Sequence, residues 1–420
     1  MKTPAALRAF RHPNFRLFFV GQSGSMIGTW MQQIAVSWLV YRLTGSALLL
    51  GLVGFASNIA YLVVSPVVSI FIDRYDRRRL LMAAQGASAL LSLLLAALTF
   101  FGVVSAWHII AIMLGIGVAT ALETPTRHAF ILDLVEHKEN LPNAIALNAS
   151  LFQMARFVGP ALAGVFIAAF GEAWCFVVNA ASYAWILLVL TRIKTLPRPE
   201  TTQRRDWVED LRAGFRFVFG MMPLRRLVIM LGVVSVFGAS YQMLMPLVAA
   251  QVFGGDSSTF GFLIGCSGLG ALCGSLYLAG RKRVPGLGRF VAAGPLISGT
   301  GLVLISQTGT APFGMACMLL IGFGIIITAA STNTLLQSVA DEDKRGRVVG
   351  IYVMIFLGMQ PLGNLAAGTL ADMLGAQNAL LLNGLVAIAV SLWFIAGYGA
   401  WRRAMRPLYE RAGLLEQRTG

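Results

Sequence analysis

Three ionisable side chains lie deep inside runs that are otherwise apolar: Glu123, Arg127 and Arg156. A charge at bilayer depth is costly, so such groups face an interior cavity and mark ion or substrate paths. Glu123 lies 11 residues inside the run that ends at 134, which is about 16 Å along a helix. Arg156 lies 13 residues into the run that begins at 143, about 20 Å deep. Glu123 and Arg127 are spaced i,i+4 and can pair on one helix face. Arg156, on the next helix, could reach the same site. The chemistry this allows is proton exchange at Glu123, read out by changed pairing with Arg127 or Arg156. Burial disfavours an ionised carboxylate and a nearby arginine favours it, so an anionic substrate could tip the balance. Arg156 could itself bind that anion, because guanidinium pairs bidentately with carboxylate or catecholate-like oxygens. The rival reading is a permanent salt bridge that locks helices 4 and 5, and the residues alone leave both open.

The elements that must hold these charges follow from composition. Apolar residues make up 57 % of the 420-residue chain and charged residues 12 %; mean hydropathy is +0.74. A soluble domain has about 45–50 % and about 25 %. There is too little polar surface here for a water-soluble particle. That excludes a soluble enzyme, a disordered chain and a small disulfide scaffold. A membrane helix needs about 20 mostly apolar residues. Twelve runs qualify: 15–41, 46–72, 80–102, 107–134, 143–170, 173–191, 223–252, 257–279, 289–307, 312–338, 347–373 and 378–401. The expected fold is an all-α membrane protein of twelve transmembrane helices in two pseudo-symmetric six-helix bundles. The first bundle is 1–192 and the second 223–401. Between them, 193–222 is a linker in which 206–220 reads as a short amphipathic helix, with Trp207, Leu211, Phe215 and Val218 on one face. Residues 402–420 form a tail. The first run is too long for a cleavable signal peptide and lacks a small-residue cleavage site.

The net charge of +15 sits at the amino terminus, in alternate loops and in the tail, with Arg42 the exception. This positive-inside pattern puts both termini in the cytoplasm and argues against nucleic acid as a partner. The basic clusters would contact anionic membrane lipids. The four cysteines and four histidines show no metal-ligand spacing, and no phosphate-binding loop is present, so neither a metal site nor an enzyme is expected. Uncharged polar residues inside the runs are candidates for a cavity wall: Gln32, Gln33, Asn58, Tyr241, Gln242, Asn333 and Gln360. Such residues more often bond between helices.

The halves repeat at an offset near 204. Gly164 falls on Gly368, Gly171 on Gly375 and Asn179 on Asn383. Earlier, Gly45-Ser46-Ala47 with Gly51 matches Asp256-Ser257-Ser258 with Gly261. Parallel six-span repeats place a substrate site near the midplane, between the halves.

The loop after span 2 reads Ser69-Ile70-Phe71-Ile72-Asp73-Arg74-Tyr75-Asp76-Arg77-Arg78-Arg79. It resembles the loop motif of the major facilitator superfamily, in the variant of the efflux subgroup that contains the enterobactin exporter. Asp73, Arg74, Arg77 and Arg78 match; Ser69 and Asp76 replace the motif's glycines. Phe10 to Arg16, Gly28 to Gln33, Tyr41 to Ser46, Pro125-Thr126-Arg127, Arg156 to Pro160 and Arg345-Gly346-Arg347 share the resemblance. The superfamily's antiporter motif in span 5 matches at Gly159, Pro160 and Gly164, with Ala155 and Ala163 in place of glycines. The resemblance implies a cytoplasmic gate at Asp73, Arg74, Arg77 and Arg78, and proton-coupled efflux of an amphipathic small molecule by alternating access. It implies a siderophore-like or drug cargo, no cofactor beyond the proton gradient, and a monomer in a bacterial cytoplasmic membrane. Lysophospholipid movement between leaflets, or a non-transporting sensor on a transporter fold, are the alternatives.

Overall fold

The computed structural model describes residues 5–64, 68, 72, 75–135, 137–193, 207–281 and 284–414. It is all-helical. In the amino half, α1 is Pro13–Thr44, α2 Ala47–Val63, α3 Arg77–Phe100, α4 Ala106–Leu134, α5 Leu141–Phe170 and α6 Glu172–Arg192. The linker helix α7 is Trp207–Gly220; Val218 is buried and Phe215 half-buried. Asp206, the expected start of this helix, lies outside the described residues. In the carboxyl half, α8 spans Met222–Val252, followed by α9 Ser257–Ala279, α10 Gly288–Gln307 and α11 Ala311–Val339. The eleventh span is two helices, α12 Glu342–Phe356 and α13 Gln360–Leu374; α14 is Ala376–Ala396 and α15 Tyr398–Arg411.

Among the described residues, ten helices are long and apolar enough to cross a bilayer. The other two of the twelve are α1, whose buried Gln22, Ser25, Gln32 and Ser37 lower its hydropathy, and α2, with 17 residues to Val63.

Local chemistry starts the helices. Ser46 accepts from Leu49 N at α2, Asp76 from Arg79 N at α3 and Asp256 from Thr259 N at α9. Each satisfies an N–H that the first turn leaves unpaired. These caps correct the repeat by one residue, because Ser46 corresponds to Asp256, five residues before Gly51 and Gly261 respectively. Gly171 turns α5 into α6 at φ 87°, and Gly375 turns α13 into α14 at φ 85°. The two repeat positions share one left-handed backbone that favours glycine. Asp341 precedes a helix that begins at Glu342, so Arg345-Gly346-Arg347 is helical. Lys344 Nζ, 2.6 Å from Asp341 Oδ2, holds that exposed carboxyl below the usual carboxylate range.

The halves meet along α2–α13 and α5–α9, and at the end remote from the termini glycines bring them to backbone contact. A Cβ on Gly164 would stand 2.7 Å from Ser257 O and 3.0 Å from Gly261 Cα. A Cβ on Gly368 would stand 2.7 Å from Ala47 O and 2.9 Å from Gly51 Cα. The repeat relates Gly164 to Gly368 and Gly51 to Gly261, so one glycine pair closes each side of the pseudo-twofold axis. These are backbone-to-backbone contacts that only small residues permit.

Arg42 departs from the charge pattern for a structural reason. Its Nε is 2.7 Å and its Nη2 3.2 Å from the two oxygens of Glu172, a bidentate pair joining the end of α1 to the start of α6. Arg42 is half-exposed but Glu172 is only 8 % exposed. We predict that Arg42→Ala lowers stability by about 1–3 kcal/mol, since it strands a buried carboxylate. Glu172→Gln should cost less, because the remaining partner is solvated. Melting of the two variants in detergent checks the order.

The seventh and eleventh spans are not continuous α-helices. After Val233, α8 passes through a π-turn at Val234–Gly238 and a 3-10 turn at Ser240–Leu244. Ser235 Oγ donates 2.6 Å to Phe356 O, where α12 ends. The two interruptions are therefore bonded to each other.

Candidate functional site

A cavity of about 100 Å³ lies inside the amino half, walled by α1 to α6. Glu123 and Arg127 line it from α4. Gln22, Ser25, Thr29 and Trp30 face it from α1, Tyr61 from α2, Gln85 and Ser88 from α3, Phe152 from α5 and Tyr183 from α6. Local sequence explains the placement. Pro125 lies between the two charges inside α4, which stays one continuous helix although a proline cannot donate to the carbonyl four residues back. Glu123 and Arg127 remain one turn apart on the cavity face.

Arg127 Nη1 lies 3.4 Å from Glu123 Oε1, with the side chains 8 % and 13 % exposed. The pair is long and underbonded. Thr124 Oγ1 donates to Glu123 Oε2 at 3.4 Å, but Glu123 Oε1 and Arg127 Nε have no hydrogen-bond partner among the described residues. A buried pair holds together only when further hydrogen bonds satisfy its atoms. This one keeps an acceptor and a donor for something else. Hydroxyls extend the network: Tyr61 Oη is 3.3 Å from Thr124 Oγ1, and Tyr183 Oη is 3.1 Å from Thr29 Oγ1. Ser25 Oγ donates to Gln85 Oε1 at 3.4 Å.

The structure separates residues that the sequence grouped. Both partners of the ion pair stand on α4, so this pair does not lock the fourth span to the fifth. Arg156 is half-buried on α5, with its guanidinium 5.8 Å from the ring centre of Trp30, and it does not line the cavity. Gln32 is buried and accepts 2.7 Å from Asn179 Nδ2. Gln33 is half-buried, and its carbonyl accepts from Ser37 Oγ. Tyr241 is fully buried and bonds Ser267, and Gln242 Nε2 donates to Tyr241 Oη at 3.4 Å. Asn333 Oδ1 accepts 2.9 Å from Gln337 Nε2, and Gln360 opens α13. None of these six lines the cavity. Asn58 Nδ2 donates 3.0 Å to Gly54 O on its own helix.

Of the gate motif, Asp73 and Arg74 lie outside the described residues. Arg77 Nη1 donates to Ala129 O at 2.9 Å and to both Asp133 oxygens at 3.1 and 3.2 Å, tying α3 to α4. Arg78 Nη2 donates 2.8 Å to Thr191 O at the end of α6. Gly159 abuts α1, where a Cβ would come 2.5 Å from Trp30 Cβ, and the Pro160 carbonyl faces Gly261 of α9. Sequence reasoning missed Gln22, Ser25, Gln85, Ser88 and Tyr183. The i,i+4 pair Ser25 and Thr29, and Gln85 with Ser88, were the available signals.

Solved structures of membrane transporters share this fold. A POT family transporter superposes with a TM-score of 0.72 at 13 % identity, covering 92 % of this chain and 96 % of that one. A bacterial homologue of the lysosomal transporter Spinster, in its inward-facing unoccupied conformation, gives 0.69 at 12 %, covering 98 % and 99 %. The chain belongs to the transmembrane secretion effector family, whose model matches residues 4–399. It is therefore a multi-pass membrane transporter of a small-molecule substrate, not an enzyme. The staphyloferrin A transporter of Staphylococcus aureus is 26 % identical over 383 residues, 90 % of this chain and 95 % of the relative. The enterobactin exporter of Salmonella choleraesuis is 26 % identical over 395 residues, 93 % and 94 %. Macrolide efflux protein A of Streptococcus pyogenes is 22 % identical over 392 residues, 90 % and 94 %.

Proposed function

We propose that this protein exports an amphipathic small molecule in exchange for protons. Glu123 carries the proton, and Arg127 reports its charge state. The observation that carries the reading is the underbonded Glu123–Arg127 pair facing a polar cavity. The cargo binds while Glu123 is ionised, its anionic group on the donor that Arg127 keeps unbonded; after the cargo leaves, Glu123 takes a proton, and it gives that proton up to the cytoplasm as the next cargo binds. Arg156, with its guanidinium 5.8 Å from the Trp30 ring centre, adds positive charge near the cavity. Its half-buried guanidinium has no ion-pair partner among the described residues. Among the described residues at this depth, Arg127 and Arg156 are two cations against the single carboxylate of Glu123. An anionic cargo supplies the balancing charge.

Efflux is supported by the siderophore and macrolide exporters that the chain is similar to. Among these cargoes the site's charge favours the siderophore-like one. The bacterial cytoplasmic membrane, with both termini in the cytoplasm, is the location that the basic loops favour. Spent medium tests the reading. A strain lacking the gene should lose an iron-chelating anion from the medium under iron limitation, and the restored gene should return it. Unchanged chelator in both strains sinks the siderophore-like cargo.

A further inference from the structure

The basic end of the carboxyl half holds arginines that transport does not use. Three helix starts meet there around one buried ring. Trp401 of α15 is 2 % exposed, and its Nε1–H donates 3.0 Å to Pro223 O at the start of α8. Gly288, the first residue of α10, packs on the same ring, where a Cβ would stand 2.5 Å from Cη2. Arg225 follows Pro223, Arg289 follows Gly288, and Arg402 and Arg403 follow Trp401. All four arginines are exposed, and none has an ion-pair partner among the described residues. The nearby Glu410 is taken by Arg406 at 2.9 Å.

The membrane boundary can be located at this cluster. Ile229 is 41 % exposed on α8, one turn beyond Arg225 and on the same face. Leu392 and Ile395 are 53 % and 44 % exposed on α14, just before α15. Large apolar side chains exposed on a transmembrane bundle face acyl chains. Trp393 is also exposed, and the Arg226 guanidinium lies 5.5 Å from its ring centre, as expected of an interfacial aromatic. Arg225 and Arg402 therefore sit just outside the acyl layer, at headgroup height. Their positions are fixed by packing. Met405 and Tyr409 continue the buried stripe of Trp401, which pins α15 to the protein, and Arg226 Nη1 donates 3.1 Å to Gly397 O at the bend.

We propose that this cluster is a headgroup site for an anionic phospholipid. Guanidinium matches phosphate oxygens bidentately. Basic pockets between helix ends are a known way of holding such headgroups. Four unpaired arginines exceed the single charge of one phosphodiester, so a lipid with two phosphates fits better than a lipid with one.

Native mass spectrometry of the full chain in detergent tests this, with cardiolipin, phosphatidylglycerol and phosphatidylethanolamine offered at equal concentration. Retention should follow that order. Arg225→Gln with Arg289→Gln and Arg402→Gln should cut retained cardiolipin about tenfold or more. Removing three exposed arginines of the amino half instead (Arg16→Gln, Arg79→Gln, Arg192→Gln) should leave it unchanged. If the first triple variant does not fold, Arg402→Gln with Arg403→Gln on the exposed face of α15 should still lower retention. Inorganic phosphate should not displace the lipid. Equal retention of the three lipids, equal loss in the amino-half control, or displacement by phosphate alone would overturn the site. The readout involves no transport, so it stands or fails independently of the proposed cargo and coupling.

Discussion

Glu123→Gln should abolish proton-driven net export, by about tenfold or more, while leaving cargo exchange across the membrane nearly intact. Gln has the shape of a protonated Glu and cannot ionise. Arg127 then loses its ion-pair partner, 3.4 Å away, and stays open to the cargo anion throughout the cycle. The half-cycle in which Glu123 carries a proton inward no longer exists. Exchange needs only loaded transitions, so it survives; net export needs both. Glu123→Asp retains a titratable group and should recover part of net export. Comparing exchange with net export in the three proteins separates coupling from folding. Full net export in Glu123→Gln would remove this carboxylate from the mechanism.

Gly164→Val is the second large effect, and it acts on the conformational cycle. The Cβ it adds meets Ser257 O at 2.7 Å and the backbone of Gly261 and Ser258 at 3.0 Å. Backbone cannot rotate aside as a side chain can. Overpacking costs about 1–3 kcal/mol, and a purely backbone clash belongs at the upper end. At that size the contact between the halves weakens by about 100-fold. The state closed at the end remote from the termini then loses population to the state open there. Gly368→Val meets Ala47 O and Gly51 through the repeat-related contact and should act in the same direction. Spin labels at Phe101 and Thr310, in loops of the two halves at that end, should move to longer distances in both variants. An unchanged distance distribution would show that these glycine pairs do not hold the closed end.

The sequence showed the parts of this arrangement whose signals are local. Glu123 and Arg127 were legible because charges stand out in an apolar run and because four residues make one helical turn. The repeat was legible because Gly164 and Gly368 recur at a fixed offset. Their contacts were not legible, since the pseudo-twofold axis pairs each glycine with the opposite member of the other repeat pair. Arg42 looked anomalous for the same reason. Its partner Glu172 is 130 residues away, and no local pattern joins them. Partners of the candidate cavity residues were not legible either: Gln32 bonds Asn179 and Tyr241 bonds Ser267, as buried polar groups in helix bundles tend to do. The break in α8 has no proline at Ser235–Gly238 to announce it. It is held from outside, by the bond from Ser235 to the carbonyl of Phe356.

Proton movement itself is the most direct test of the account. In everted membrane vesicles acidified inside by respiration, an exporter that exchanges cargo for protons alkalinises the lumen when cargo is added. With enterobactin, staphyloferrin A and a macrolide offered in turn, a pH-sensitive dye should report alkalinisation with at least one anionic siderophore in wild-type vesicles. Glu123→Gln vesicles should give none. Cargo accumulation in wild-type vesicles that persists after a protonophore collapses the gradient, with no change in luminal pH, would contradict the account.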